Sequence, residues 1–162
     1  MFREISRLRL LLLSLSLLLP AAVQAASAPP VKISADSLEL DQKAQSTTYS
    51  GNVLLTQGEM KLTAESLTVF VTDGKLGSIE ARGNPARFDT RLDDGTNVSG
   101  EAGKIRFDSS AGLLTLIGNG KLTQGRNRIE NDYIEYDLNR GNLKAGGSKA
   151  KKRVEVIFQP AE

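Results

Sequence analysis

The chain carries a copy of its own strand pattern sixty-seven residues further on, in unbroken register. Gly51-Asn52 recurs as Gly118-Asn119, and Leu55-Thr56-Gln57-Gly58 as Leu122-Thr123-Gln124-Gly125. The same offset brings Ala35 onto Ala102, Leu38 onto Ile105, Leu40 onto Phe107, Asp41 onto Asp108, Leu67 onto Ile134 and Gly74 onto Gly141. A shorter echo, twenty-nine residues apart, relates Ala35-Asp36-Ser37-Leu38-Glu39-Leu40 to Ala64-Glu65-Ser66-Leu67-Thr68-Val69. Turn residues and apolar phase repeat together, which marks one unit of two strands and a turn copied several times. Such units stack into an elongated sheet whose inner face is a continuous apolar groove with two ends.

The units are strands because apolar residues recur at every second position. Ile33, Leu38, Leu40, Leu67, Val69, Ile105, Phe107, Ile134 and Tyr136 follow that alternation, and period two means one buried face. They are the candidate lining of the groove. Turns are predicted at Ser50-Gly51-Asn52, Gln57-Gly58, Asp73-Gly74, Gly83-Asn84-Pro85, Asp93-Asp94-Gly95, Gly118-Asn119-Gly120, Gly125, Asn139-Arg140-Gly141 and Gly146-Gly147. Many short strands with regular turns argue for an all-β sandwich, jelly roll or roll of hairpins.

Export is expected from the first residues. Arg3, Arg7 and Arg9 precede the apolar run Leu10 to Leu19, and Val23-Gln24-Ala25 places small residues for cleavage between Ala25 and Ala26, the organisation of a secretory signal peptide. The run is about half the ~20 residues that span a bilayer, so cleavage is favoured over retention as an anchor. The expected organisation is a signal peptide over 1–25, a linker over 26–30, one domain over 31–159 and a tail over 160–162. The chain has 21 Lys+Arg against 19 Asp+Glu. The leader takes three arginines and Glu4, so the remainder balances and lacks the electrostatic footprint of a nucleic-acid binder. There is no cysteine and no histidine. Disulfides are therefore excluded, as are the His-dependent triads and imidazole metal sites. No cofactor is expected.

Candidate motifs narrow the function further. Gly141-Asn142-Leu143-Lys144-Ala145-Gly146 has P-loop glycine spacing, but Gly147 stands where the lysine belongs. Asp36, Glu65 and Glu101 fall near predicted strand starts, Asp108 and Asp137 near strand ends. Following the repeat as they do, they read as solvated strand-end residues rather than a catalytic pair. Lys144, Lys149, Lys151, Lys152 and Arg153 form a local charge excess. Such a block reads first as a solvated edge guard; Lys149, Lys151, Lys152 and Arg153 are also candidates for contact with headgroup phosphates.

Several strings in fixed order resemble the LptA/OstA-like family of lipopolysaccharide-transport proteins. They are Val31-Lys32-Ile33-Ser34-Ala35-Asp36, Tyr49-Ser50-Gly51-Asn52-Val53-Leu54-Leu55-Thr56-Gln57-Gly58, Ala64-Glu65, Gly83-Asn84-Pro85-Ala86-Arg87-Phe88, Gly100-Glu101-Ala102 and Leu116-Ile117-Gly118-Asn119-Gly120. The resemblance implies a twisted antiparallel β-jellyroll, open at both ends, that holds the acyl chains of lipopolysaccharide. It implies acyl contacts at Val31 and Ile33 near the first strand and at Phe88 and Phe107 further along. It also implies a periplasmic location, edge-strand contacts with an inner-membrane anchor and an outer-membrane translocon, and head-to-tail self-association. The reading from a different class is a structural periplasmic protein that assembles through its edges around a fully packed interior, without lipid.

Overall fold

The computed structural model describes residues 29–92, 94–147 and 151–158; the expected signal peptide lies outside them. Among these residues, ten strands form one antiparallel sheet: β1 (Lys32–Ser34), β2 (Ser37–Asp41), β3 (Ser46–Gln57), β4 (Met60–Thr72), β5 (Lys75–Arg91), β6 (Asn97–Asp108), β7 (Leu113–Gln124), β8 (Asn127–Asp137), β9 (Asn142–Ala145) and β10 (Glu155–Ile157). Strands β3 to β8 follow one another as a meander. Short strands line its two edges. Along β3 run β1 and β2, and along β8 run β9 and β10.

The turns explain much of the repeat. Asp41 Oδ1 accepts hydrogen bonds from the Lys43 and Ala44 amides, both at 2.9 Å. Asp108 does the same for Ser110 and Ala111 at 3.0 and 3.1 Å, and Asp137 for Asn139 and Arg140 at 3.0 Å each. An aspartate that holds two following amides closes a tight turn without help from the rest of the fold. Each of these turns ends on a left-handed residue, Gln45, Gly112 or Gly141.

The strands are longer than the turn residues predict, because three of the expected turns do not end strands. Gly51-Asn52, Gly83-Asn84-Pro85 and Gly118-Asn119 lie inside β3, β5 and β7. The register shifts there, between Ser50 and Val53, Arg82 and Ala86, and Ile117 and Gly120, then resumes with the same neighbouring strand. Shifts also occur at Thr63/Ser66 in β4 and Glu101/Lys104 in β6. Gly51 and Asn52 have φ of 78° and 46°, and Gly118 and Asn119 of 81° and 50°. Paired left-handed residues inside a ladder make a bulge that bends the strand and sharpens its twist. Aligned across consecutive strands, the bulges make a crease, and the Asn84–Pro85 peptide within it is cis.

The crease divides the sheet into two walls that face each other. Leu67, Leu116 and Ile134 are 0% exposed, which one layer of sheet cannot achieve for side chains on a single face. Residues of both walls, among them Leu55, Leu62 and Leu122 on one and Leu67, Ile105 and Ile134 on the other, form one apolar cluster. The fold is an antiparallel β-jellyroll built from repeated strand pairs, open at its two edges.

Candidate functional site

Each wall carries its apolar residues in rows that run across eight strands, β2 to β9 on one wall and β1, β3 to β8 and β10 on the other. One row runs Leu38, Tyr49, Leu67, Ala81, Ile105, Leu116, Ile134 and Ala145 as directly opposed neighbours. Beside it run Leu40, Thr47, Val69, Ile79, Phe107, Leu114, Tyr136 and Leu143. On the facing wall the row is Ile33, Leu55, Leu62, Phe88, Gly100, Leu122, Ile129 and Val156. These rows exist because strand alternation keeps the apolar positions on one side and the meander keeps them in register. All the alternating candidates named from the sequence belong to them; Phe88 joins them, and Val31 lies just before β1.

Exposure along the rows is graded. Leu67, Ile105, Ile134 and Tyr136 are buried and Val69 and Phe107 half-buried, packed between the walls. At one end Leu38 and Leu40 are each 60% exposed, beside exposed Val31. At the other, Val154, Val156 and Ile157 are exposed and Phe158 is 72% exposed. The apolar interior thus reaches solvent at both edges of the sheet. At the first edge, Ile33, Ala35, Asp36, Leu38 and Tyr49 help to line a hollow of about 450 Å³.

Phe88 is buried through an unusual partnership. Its ring covers Gly100, the residue opposite on β6, so closely that a Cβ there would stand 2.2 Å from Cε1. A glycine in a strand weakens it by leaving nothing to pack, and the ring fills that gap. Sequence alternation missed much of the packed centre, including Leu55, Leu62, Leu114, Leu116 and Leu122. The copied Leu-Thr-Gln-Gly string carried the signal for two of these, since its leucines at 55 and 122 are both buried.

The crease is clasped at both edges. Asp36 Oδ2 accepts from Asn52 Nδ2 at 2.8 Å, and the Asp36 amide donates to Gly51 O at 3.0 Å. On the far side, Lys152 Nζ donates to Asn119 Oδ1 at 2.6 Å and lies 3.7 Å from Asp132 Oδ1. Asn131 Nδ2 donates to Lys152 O at 2.9 Å. Of the basic block, Lys152 is therefore engaged in holding its own segment to the crease. Lys151 and Arg153 are exposed, and Lys149 lies outside the described residues.

Outside the walls, charges pair across strands. Glu101 is mid-strand in β6 rather than at a strand start, between Arg87 at 3.1 Å and Lys121 at 2.9 Å. The Lys121 hydrogen bond, with the charges of Lys121 and Arg87, holds its carboxyl below the usual range against the opposing effect of burial. Asp108 is also held low, chiefly by its bond from Ser110 Oγ and then by the Ala111 amide. Both carboxylates have structural partners, one in a cross-strand rung and one in a turn.

A creased antiparallel jellyroll, apolar within and open to solvent at both edges, is the class of protein this geometry defines. The profile described as LptA/(LptD N-terminal domain) LPS transport protein matches residues 32–142, and the chain belongs to that family. It is 33% identical over 136 residues to the lipopolysaccharide export system protein LptA of Haemophilus influenzae, covering 82% of this chain and 78% of that protein. Against the protein of the same name from Escherichia coli K12 it is 32% identical over 162 residues, covering 93% and 87%. The crystal structure of LptH, described as the LptA homologous periplasmic component of the lipopolysaccharide transport device of Pseudomonas aeruginosa, superposes with a TM-score of 0.74 at 29% identity. That likeness covers 82% of this chain and 96% of LptH.

Proposed function

We propose that this protein binds lipopolysaccharide in the periplasm, shields its acyl chains between the two walls, and forms part of an end-to-end bridge from the inner to the outer membrane. The observation that carries the reading is the set of apolar rows running from one sheet edge to the other, two of them starting at exposed Leu38 and Leu40 and the facing one ending at exposed Val156. The leader over residues 1–25 delivers the chain to that compartment. Val31, Ile33, Leu38 and Leu40 are the first surfaces an acyl chain meets at one edge. Deeper contact, at Leu67, Val69, Phe88, Ile105, Phe107, Ile134 and Tyr136, requires the walls to part. Each acyl chain of about a dozen methylenes gains on the order of 10 kcal/mol by leaving water, at ~0.8 per CH₂. A pocket closed at both ends would trap such a ligand, whereas an open groove passes it between modules of similar affinity.

The edges supply the partners. Unpaired strand edges accept another strand, so β1–β2 and β9–β10 are where an inner-membrane anchor, an outer-membrane translocon or a second copy adds to the sheet. Lys151, Arg153 and Lys149 are placed in sequence to meet headgroup phosphates, while Lys152 holds the segment. Photo-crosslinkers at Ile33, Phe88 and Phe107 should capture lipopolysaccharide. Capture only from outward-facing Arg106 would overturn the groove. The packed centre favours the other reading, an edge-assembled structural protein without lipid. Native mass measurement with and without lipopolysaccharide separates the two, because a retained lipid is incompatible with that reading.

A further inference from the structure

The two edges of the sheet are complementary to each other in direction, in apolar register and in charge. Eight strands lie across the path from β1 to β10, each antiparallel to the next. With an even number, the two edge strands run in opposite directions. A second copy placed beside the first in the same orientation therefore meets it antiparallel, with inner face still facing inward. Aligning the rows sets Val156 of one copy opposite Ile33 of the next, Ala145 opposite Leu38, and Leu143 opposite Leu40, since each pair ends and begins the same row. One outward pair follows from that register without further choice: Lys144 stands directly opposite the second copy's Glu39. Both residues are exposed. Within one copy, Glu135 is already opposite Lys144, and Glu39 opposite Thr48, so the junction continues an alternation of charge along the outer wall.

Two-fold pairing of like edges gives the opposite result. Joining β2 to β2 about Glu39, with the apolar row kept inward, sets Leu38 opposite Leu40 and Glu39 opposite Glu39. Joining β9 to β9 about Lys144 sets Lys144 opposite Lys144. Like charges directly opposed across strands are unfavourable, and unlike charges favourable.

We propose that Lys144 and Glu39 are the specificity pair of a head-to-tail junction between copies of this chain, fixing its register and disfavouring two-fold pairing centred on either residue. This rests on the self-association included in the proposed function. The experiment is sedimentation of the purified protein over a range of concentration, with Lys144→Glu made together with Glu135→Lys so that the rung within each copy stays unlike, Glu39→Lys, the two reversals combined, and an equimolar mixture of the two separate reversals. Each reversal alone should weaken association about tenfold, as attraction of roughly a kilocalorie scale becomes repulsion. The combined variant and the mixture should recover it, because both restore an unlike pair at every junction. In a chain without native cysteine, Glu39→Cys with Lys144→Cys should give a ladder of intermolecular disulfides, and Asp41→Cys with Lys144→Cys should not. A self-associating protein whose separate reversals have no effect, or whose mixture does not recover, overturns this register and leaves head-to-tail association standing. A protein that stays monomeric throughout overturns both.

Discussion

Replacing Gly100 by alanine puts a methyl carbon 2.2 Å from Phe88 Cε1, 2.8 Å from Cζ and 3.0 Å from Cδ1. Carbon atoms rest at about 3.5–4.0 Å, so the ring must retreat by more than about 1 Å. It has little room, being 5% exposed with Leu62 opposite on its other side. Overpacking of this kind costs about 1–3 kcal/mol. Phe88→Ala should cost about 3–5 kcal/mol through lost burial and the cavity left behind. With the ring gone, the methyl group at position 100 has space, and alanine in a strand is favoured over glycine by roughly 0.5–1 kcal/mol. The two substitutions should therefore couple by about 2–3 kcal/mol, the double variant being more stable than the sum of the singles implies. Urea unfolding of the four proteins, followed by circular dichroism, measures this cycle. Additivity within about 0.5 kcal/mol would refute a ring seated on Gly100.

Three further outcomes follow from the same geometry. Leu67→Ala, at a wholly buried position, should lose about 2–5 kcal/mol of stability, whereas Leu38→Ala at the open edge should change stability by no more than about 0.5 kcal/mol yet weaken lipopolysaccharide binding in a filter or fluorescence assay. Asn52→Gly keeps the left-handed backbone and loses the bond to Asp36, costing about 1 kcal/mol in urea unfolding; Asn52→Ala adds the strain of a positive φ, about 1–2 kcal/mol more. Because the folded carboxyl of Glu101 is held below its ordinary value of 4.5, its rung stabilises the fold fully above that pH and is lost as pH falls through the lower folded value. Glu101→Gln should accordingly lower the urea midpoint at pH 7 and make it fall less steeply below pH 4.5, and parallel acid profiles for the two proteins would discard the rung as a source of acid sensitivity.

Strand identity and the inward face were legible because both depend on neighbours in sequence. Alternation assigned Leu38, Leu67, Ile105 and Ile134 to one face, and the rows confirm that face for each. The copied aspartates at 41 and 108 proved to close equivalent turns through their own following amides, a contact that needs no distant residue. Lys152 was less legible. A block of lysines looks the same in sequence whether it is solvated or clasped, and its bond to Asn119 spans 33 positions.

By itself, the sequence determined an all-β chain of repeated strand pairs, apolar on one face and without histidine or cysteine. Only the tertiary structure decided what the Gly-Asn pairs do. Two left-handed residues serve equally well to end a strand or to bend it, and the choice rests on whether the partner strand resumes pairing beyond them. At Gly51-Asn52 it does, with Val53 back opposite Ala64, so the expected turn became a crease and a flat sheet became two facing walls. The same non-local cause separates Leu38 from Leu67, which share one row and one alternation. Leu67 has strands on both sides and a wall above it, and Leu38 is at the sheet's edge.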